Sequence, residues 1–244
     1  TAGGGDRGPA FSPDGKKLAF LRNRRELRIV DVDGGTGATE TKVAEGLFGD
    51  AMDTGGAAWS PDGRWLAILA VGEKSFTNVQ LVPAGGGTPR PISFLSNVFA
   101  GTINWGRDGT FVLFDTRQRT ENGQLARIDL VLRTPRFRED QFRDLFTPPS
   151  RPAPQPEKVD RETGEPKNVA EPKTVDSKIA APVKPVEPVF DDIRRRLSLL
   201  PVGVDVLSHV VSPDGKFVVL IAGAEGQQYL YADPIDELAD DRRA

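Results

Sequence analysis

The tetrapeptide Ser-Pro-Asp-Gly occurs three times in this chain, and no other feature restricts its fold as strongly. The copies begin at Ser12, Ser60 and Ser212, and a degenerate copy, Gly-Arg-Asp-Gly, begins at Gly106. Proline presets the backbone at the first corner of a turn, aspartate accepts local amide hydrogens, and glycine takes the positive-φ position. Because each copy lies between short strand-like runs, each is predicted to form the tight turn of a β-hairpin.

The spacing of these turns predicts how the hairpins are arranged. Successive copies are separated by 48, 46 and 106 residues. One hairpin turn in every 40–50 residues or so is typical of a β-propeller blade of about four strands. The sequence therefore predicts an all-β fold, a partial β-propeller of about four blades, with extra chain inside the longest interval.

Each blade is predicted to run through a turn, a strand, a polar turn, a second strand, a Gly-rich turn and an outer strand. In the first blade the two predicted strands are 17–21 and 26–32. Trp59, Trp105 and Val211 all stand directly before a turn. An apolar side chain at that position is expected to pack between neighbouring blades.

Residues 147–189 differ from the rest of the chain. They contain ten of its 20 prolines, no aromatic residue, and seven basic and seven acidic side chains that cancel one another. Proline removes backbone donors, and so polar a segment buries too little surface to offset the entropy of ordering. We expect a disordered or extended insertion, with a docking tail for a partner as the alternative function.

The chain is thus divided into three predicted parts: propeller blades at 1–146, the insertion at 147–189, and a further blade with a short C-terminal helix at 190–244. That helix is predicted at 234–242, with Asp233 as its N-cap and proline at its first position. A second, amphipathic helix is predicted at 137–146. Residues 190–200 fit either a helix or a pair of strands.

The sequence offers no set of residues for catalysis, cofactor binding or metal binding. The chain has no cysteine and one histidine, His209, so a His/Cys metal site cannot form. His209 lies in an apolar run before the last turn and is predicted to be structural. There is no Gly-x-Ser-x-Gly nucleophile motif, and Gly85-Gly86-Gly87 lacks the Gly-Lys-Ser/Thr ending of a phosphate loop.

Two charged clusters have ordinary explanations. Asp191 and Asp192 could bind a cation weakly, but the arginines at 194–196 offer closer neutralisation. A basic patch without interleaved aromatic residues is more typical of a solvated hairpin than of a nucleic-acid site; it comprises Arg22, Arg24, Arg25 and Arg28. The net charge of −3 gives no strong attraction to nucleic acid or an anionic membrane, and no apolar run could span a bilayer.

The Ser-Pro-Asp-Gly blades resemble the TolB-type propeller repeat, also described as PD40 or WD40-like. Residues 190–202 resemble the Asp-Phe-Glu-Gly-Ile-x-x-Arg … Leu-Pro-Val segment in the N-terminal propeller region of tricorn-like serine peptidases. This chain has Phe-Asp-Asp-Ile where that family has Phe-Glu-Gly-Ile. Residues 231–238 are similar to a segment between blades in the bacterial members, so the resemblance covers nearly the whole chain.

The resemblance implies that this chain carries no catalytic residues of its own. In tricorn-like peptidases the propellers carry no catalytic residues and gate or guide peptides, while a PDZ-like domain and a catalytic domain follow. Neither domain has a counterpart in this sequence. The chain is therefore expected to be a non-catalytic fragment of a serine peptidase, with a peptide or protein as partner and no cofactor. A periplasmic or secreted location is implied, with the cytoplasm as the alternative.

Two other functions stay open at this stage: a stand-alone TolB-like protein-binding module, and the propeller of a secreted amidohydrolase. The resemblance implies complete rings of six or seven blades. An arc of about four blades exposes faces that normally meet neighbours. We therefore expect the isolated chain to be marginally stable and to self-associate through its open blade edges.

Overall fold

Four antiparallel β-sheets follow one another along the chain, and within each sheet the strands lie in chain order. The computed structural model describes residues 5–48, 57–132, 184–224 and 226–238. All of these belong to one compact unit, and the residues of a second unit, 133–181, lie outside the described ranges. The helix predicted at 137–146 and most of the predicted insertion therefore lie outside them too.

The strands have the following bounds. The first sheet contains β1 (Asp6–Phe11), β2 (Lys17–Arg22), β3 (Glu26–Asp31) and β4 (Glu40–Glu45). The second contains β5 (Ala57–Trp59), β6 (Trp65–Val71), β7 (Thr77–Pro83) and β8 (Arg90–Pro91). The third contains β9 (Ile103–Trp105), β10 (Phe111–Thr116), β11 (Gln124–Asp129) and β12 (Leu197–Leu200). The fourth contains β13 (Asp205–Val211), β14 (Phe217–Ala224) and β15 (Gln227–Pro234), followed by the short helix α1 (Ile235–Leu238).

All four predicted turns join the first strand of a sheet to its second strand, so this prediction is confirmed. The Ser12 hydroxyl donates to Asp14 Oδ1 over 2.6 Å, and the Lys16 amide donates to the same oxygen over 3.1 Å. The Lys17 amide donates to Ser12 Oγ over 2.9 Å, and Gly15 has a φ of 71°. The other two exact copies repeat these contacts, which explains why the tetrapeptide recurs.

The degenerate turn reaches the same shape with different side chains. Gly106 has no hydroxyl, and the Thr110 hydroxyl donates to Asp108 Oδ1 instead, over 2.8 Å. The ring of Phe111 fills the space beside Gly106, because a Cβ there would lie 2.4 Å from Phe111 Cε1. Glycine at this position is therefore required by the packing of Phe111.

Successive turns lie side by side in space. A Cβ added to Gly63 would lie 3.9 Å from Pro13 Cδ, and one added to Gly215 would lie 2.7 Å from Arg107 Cβ. The second and third turns make the same contact, at 3.7 Å. In every case the second residue of one turn meets the last residue of the next. Tetrapeptides that follow one another in sequence thus mark neighbouring sheets, as in successive propeller blades.

The second strands of the two middle sheets, β6 and β10, each pack on both of their faces. In β6, Leu66 and Ile68 belong to the core shared with the first sheet, whereas Ala67 and Leu69 belong to the core shared with the third. Strand β10 divides its residues in the same way between the second and fourth sheets. Burial on both faces replaces the alternation of apolar and polar residues with a continuous apolar run.

Two tryptophans join neighbouring sheets, as the repeat predicted. Trp59 Nε1 donates to the carbonyl of Ala10, and Trp105 Nε1 donates to the carbonyl of Ala58, each over 2.9 Å. Both indoles are buried in the core between two sheets. Val211 occupies the same position in the fourth sheet and packs on the third core, but it has no side-chain donor. The predicted packing of these residues is confirmed.

We expect the substitution Trp105→Phe to lower the free energy of unfolding by about 1 kcal/mol through the lost hydrogen bond to Ala58, plus a smaller loss of packing. Trp65→Phe is the matched control, because Trp65 Nε1 has no hydrogen-bond partner. Urea denaturation followed by circular dichroism measures both. Equal losses in the two variants would contradict a role for the Trp105 bond.

The fourth strand of the third sheet comes from beyond the insertion. Strand β12 pairs with β11, and Ala126 lies opposite Leu199. Leu197 packs on the core toward the second sheet and Leu200 on the core toward the fourth, so β12 contributes to both. The sequence analysis grouped these residues with the last blade, and the structure instead places them in the third. The chain leaves this sheet after its third strand and later returns to complete it.

The fourth sheet ends differently from the prediction. Helix α1 begins at Ile235, and Asp233 is not its N-cap because it continues β15 opposite Val218. Residues 239–244, where the predicted helix would continue, lie outside the described part of the chain. Among the described residues β15 has no fourth strand beside it, and Leu230 is 74% exposed. No helix in the described ranges is long and apolar enough to cross a membrane.

Candidate functional site: a groove beside the re-entry segment

Residues 184–196, here called the re-entry segment, lead the chain back into β12. The Val186 amide donates to Asp62 Oδ2 over 3.1 Å, in the turn of the second sheet. The Val189 amide donates to the carbonyl of Leu130, beyond β11, over 2.8 Å. The segment is therefore held against two sheets, at the end that carries the Ser-Pro-Asp-Gly turns.

Three side chains anchor the re-entry segment. The Phe190 ring packs on Trp65 with 6.1 Å between ring centroids, and Ile193 is buried in the core between the second and third sheets. Arg196 donates from Nη1 to the Asp129 carbonyl over 3.0 Å, and from Nη2 to carbonyls of Val189 and Asp191. These are the Phe, Ile and Arg positions of the segment that resembles tricorn-like peptidases.

The two positions at which this chain departs from that segment lie in an exposed turn. Asp191 and Asp192 are both exposed, and Asp192 has a φ of 54°. The family segment has glycine at the position of Asp192, and glycine adopts positive φ most easily. Aspartate tolerates this region better than most residues do, so the departure keeps the turn.

An open groove of about 430 Å³ lies between the re-entry segment and the outer edge of the second sheet. Two arginines flank it, each lying over an aromatic ring. The Arg90 guanidinium carbon is 3.5 Å from the centroid of Phe190, and that of Arg194 is 3.9 Å from the centroid of Phe94. Pro91, Asp192, Ile193 and Arg195 complete the lining, and we call this feature the rim groove.

The rim groove carries net positive charge on a chain that is acidic overall. Arg90, Arg194 and Arg195 line it, against a single carboxylate from Asp192. Only Arg195 approaches that carboxylate, with 4.0 Å between its Nε and Asp192 Oδ1. Within the described ranges the side chains of Arg90 and Arg194 make no hydrogen bond or ion pair. Their N–H donors are therefore open to acceptor oxygens from outside the chain.

The cation site considered at Asp191 and Asp192 finds no support in the arrangement of the described residues. The described residues of the chain include no group of three or more acidic or histidine side chains that could hold a metal ion. The Asp192 side chain is 77% exposed and faces Arg195 rather than a second carboxylate.

His209 lies in β13, buried between the third and fourth sheets. Its Nδ1 is 4.0 Å from Asp115 Oδ1, and neither ring nitrogen makes a hydrogen bond of regular geometry. Asp115 itself accepts the amides of Gly101 and Thr102, over 2.9 and 2.5 Å. Burial lowers the pKa of His209 to about 4, against a weak opposing effect of the Leu113 carbonyl, and burial raises the pKa of Asp115.

The basic patch of the first sheet is largely neutralised by acidic neighbours. Arg22 pairs with Asp6 and Glu40 over 2.8 and 2.6 Å, and Arg28 pairs with Glu26 over 2.8 Å. The Arg22 side chain lowers the pKa of Asp6 and of Glu40 through these hydrogen bonds. The glycines at 85–87 connect β7 to β8 and lead into no helix.

Asp62 connects the second turn to the re-entry segment. The contribution of this connection to stability can therefore be measured by changing Asp62. Burial raises the pKa of Asp62, but hydrogen bonds from Ser60, Arg64 and Val186 outweigh burial and hold it below its usual value. A lowered pKa means that this stability is present at neutral pH and is lost as the carboxylate is protonated in acid.

We therefore expect Asp62→Asn to cost about 1–2 kcal/mol of unfolding free energy at pH 7, and much less near pH 3. Asp214→Asn is the control, because Asp214 makes the same turn contacts but has no contact with the re-entry segment. Urea titrations at the two pH values provide the measurement. A cost no larger than that of Asp214→Asn would contradict the connection.

Comparison with known proteins gives a fold rather than a family. No family model matches the chain, and no curated protein matches it. The structure of putative TolB from Agrobacterium tumefaciens is similar, with a TM-score of 0.56 and 18% identity, over 96% of this chain and 59% of that one. TolB from Acinetobacter baumannii has a TM-score of 0.52 and 16% identity, over 94% and 41% of the two chains.

The fold is a TolB-like partial β-propeller. A third similar structure, the S511A mutant of puromycin hydrolase complexed with PGG, has a TM-score of 0.53 and 13% identity, over 95% of this chain and 30% of that one. At such identities the likeness shows the fold alone. The chain spans about 59% of the first TolB structure and 41% of the second.

Sequence reasoning did not find the rim groove. Arg90 and Phe94 lie at the two ends of a predicted outer strand, 90–94, and their partners Phe190 and Arg194 come from beyond the insertion. The only local signal was the Arg-rich run at 194–196, which was interpreted as neutralisation of the neighbouring aspartates. The pairing depends on how the second sheet meets the re-entry segment, and no spacing rule covers that contact.

Proposed function

We propose that this chain is the non-catalytic propeller portion of a tricorn-like serine peptidase, and that it gates or guides peptides toward a catalytic domain elsewhere in the parent protein. The observation that carries the proposal is the anchoring of the re-entry segment. Phe190, Ile193 and Arg196, the residues that match the peptidase segment, are the ones that attach it to the two sheets. The match is therefore to a structural element rather than to an isolated string.

Two further observations support a role without catalysis. His209, the one histidine of the chain, is 3% exposed and so cannot reach a substrate. The similar structures include a hydrolase, puromycin hydrolase, of which this chain covers 30%. This coverage supports the proposal that the chain is a portion of a larger hydrolase.

The gene on both sides of these residues tests the proposal directly. We expect the reading frame to continue into a PDZ-like domain and a serine peptidase domain. A frame that ends near Ala244 would overturn the proposal in favour of a stand-alone TolB-like binding module. Metal-ligand histidines downstream would overturn it in favour of the amidohydrolase propeller.

The stand-alone module is the second candidate, and one observation favours it: this chain covers 59% and 41% of the two TolB structures but 30% of puromycin hydrolase. The proposed location of the parent protein is the periplasm or the cell exterior under either function. Fractionation of cells that express the full gene, probed with an antibody to this chain, is expected to find it outside the cytoplasm. Recovery in the cytoplasmic fraction would contradict that location.

A further inference from the structure

We propose that the rim groove binds acidic peptide segments through their side-chain carboxylates. The inference rests on the proposed peptide-handling role and adds the chemistry that selects the peptide. The contacts that carry it are the two arginines over aromatic rings, Arg90 on Phe190 and Arg194 on Phe94. Nothing in the turn motif or in the repeat requires these pairs.

Each arginine is oriented but has no acceptor within the described ranges. A guanidinium over a ring is held by a cation–π contact, which uses none of its five N–H donors. Arginine binds carboxylates with two parallel hydrogen bonds when its fork is held in place beforehand. Arg90 and Arg194 are both exposed, so a carboxylate can reach them without rearrangement of the chain.

The lining favours a peptide over other anions. Two guanidinium groups rest on different rings, and Pro91 and both rings also line the groove, so the positive charge is shared between two separate places in a partly apolar lining. An extended chain with carboxylates on separate residues fits this arrangement better than a single compact phosphate. Nucleic acid needs free aromatic faces on which bases can stack, and here arginine covers a face of each ring.

Charge complementarity distinguishes this site from the rest of the chain. The lining has three arginines and one aspartate, whereas the whole chain has a net charge of −3. Asp192 is the only groove residue that repels a carboxylate. Its side chain is exposed and its φ is 54°, a conformation that asparagine adopts as readily as aspartate. Asp192→Asn therefore removes the repulsion without strain.

The test uses fluorescence anisotropy of rhodamine-labelled peptides with the whole 244-residue chain. The probes are polyglutamate, polyglutamine and polylysine peptides of equal length, with single-stranded oligo-dT as a fourth ligand. We expect polyglutamate to bind, polyglutamine and polylysine not to bind, and the affinity for polyglutamate to fall as NaCl rises from about 0.05 to about 0.5 M.

Four variants localise the binding. Arg90→Gln and Arg194→Gln are each expected to weaken polyglutamate binding by about tenfold, the effect of losing a charged hydrogen bond. Asp192→Asn is expected to strengthen it about threefold, a gain that misfolding cannot produce. Arg25→Gln, which removes one positive charge from a turn of the first sheet, is the control and is expected to leave binding unchanged.

Three results would overturn the inference: polyglutamate binding no better than polyglutamine, equal losses in Arg25→Gln and the groove variants, or tighter binding of oligo-dT than of polyglutamate. The proposed function fails separately, on the gene sequence. If polyglutamine or polylysine bound while polyglutamate did not, the groove inference would fail while peptide handling would stand. If polyglutamate bound to a chain without a peptidase domain, the groove would stand and the peptidase assignment would fail.

Discussion

Replacing Gly123 by alanine is expected to destabilise the chain more than any other single methyl group added to it. A Cβ at Gly123 would lie 1.9 Å from the carbonyl oxygen of Val206, at the junction of the third and fourth sheets. The Val206 amide donates to the Gly123 carbonyl over 2.9 Å, and the Gly123 amide donates to Asp205 Oδ1 over 2.6 Å. Because the obstacle is backbone, the two sheets must separate locally to relieve the overlap.

We expect Gly123→Ala to lower the free energy of unfolding by about 3 kcal/mol or more. Gly85→Ala is the matched control, because a Cβ there meets no atom within 4 Å and Gly85 has no positive φ. Urea denaturation at pH 7 compares the two. If Gly123→Ala stayed within about 0.5 kcal/mol of Gly85→Ala, the contact between the sheets described here would be wrong.

The second large effect is a dependence of stability on pH that comes from His209. The ordinary pKa of histidine is near 6.5 in an unfolded chain, and burial lowers the pKa of His209 to about 4 in the folded one. The unfolded chain therefore takes up this proton first as the pH falls. Stability is fully present above pH 6.5 or so and declines toward pH 4, by about 2–3 kcal/mol at pH 4.5.

The neighbouring carboxylate acts in the opposite direction. Burial raises the pKa of Asp115, so its protonation on acidification favours the folded chain and partly offsets the loss from His209. His209→Leu separates the two effects, because it removes the histidine proton and leaves Asp115 in place. It also replaces two ring nitrogens that lack regular hydrogen bonds, so the variant is expected to be at least as stable as the wild type at pH 7.5.

We expect the unfolding free energy of His209→Leu, relative to that of the wild type, to be about 2–3 kcal/mol higher at pH 4.5 than at pH 7.5. Denaturation curves of both proteins at several pH values between these limits give the result. Parallel pH profiles for the two proteins would show that His209 is exposed to solvent in the folded chain.

The hairpin turns could be predicted from the sequence because their chemistry is local. Ser12 and Asp14 form their hydrogen bonds within the turn, and Gly15 supplies the positive φ that the turn needs. The same residues recur in each exact copy of the turn. Trp59 and Trp105 could be placed between sheets because the repeat gives them equivalent positions. In both cases the information lies in short segments whose contacts are repeated along the chain.

The assignments that went wrong depend on contacts distant in sequence. Strand β12 is a strand of the third sheet because Leu197 and Leu200 fit the edge of β11, not because of any pattern within 190–200. Asp233 and the proline after it fit a helix start locally, but pairing with β14 extends the strand through both. The rim groove likewise arises only when the re-entry segment meets the second sheet.

A disulfide cross-link tests most directly whether the chain returns across its insertion to complete the third sheet. The chain has no cysteine, so the double substitution Ala126→Cys and Leu199→Cys gives one defined pair, on residues that lie opposite each other in β11 and β12. Directly opposed strand residues are close enough for a disulfide. Ala19→Cys with Ile29→Cys, opposed in β2 and β3, is the positive control.

After mild oxidation of the folded protein, tryptic mass mapping is expected to recover a cross-linked peptide pair that contains residues 126 and 199, in a yield similar to that of the control. Recovery of the control cross-link alone would show that residues 197–200 do not complete the third sheet, and would contradict the arrangement of successive blades on which this account is built.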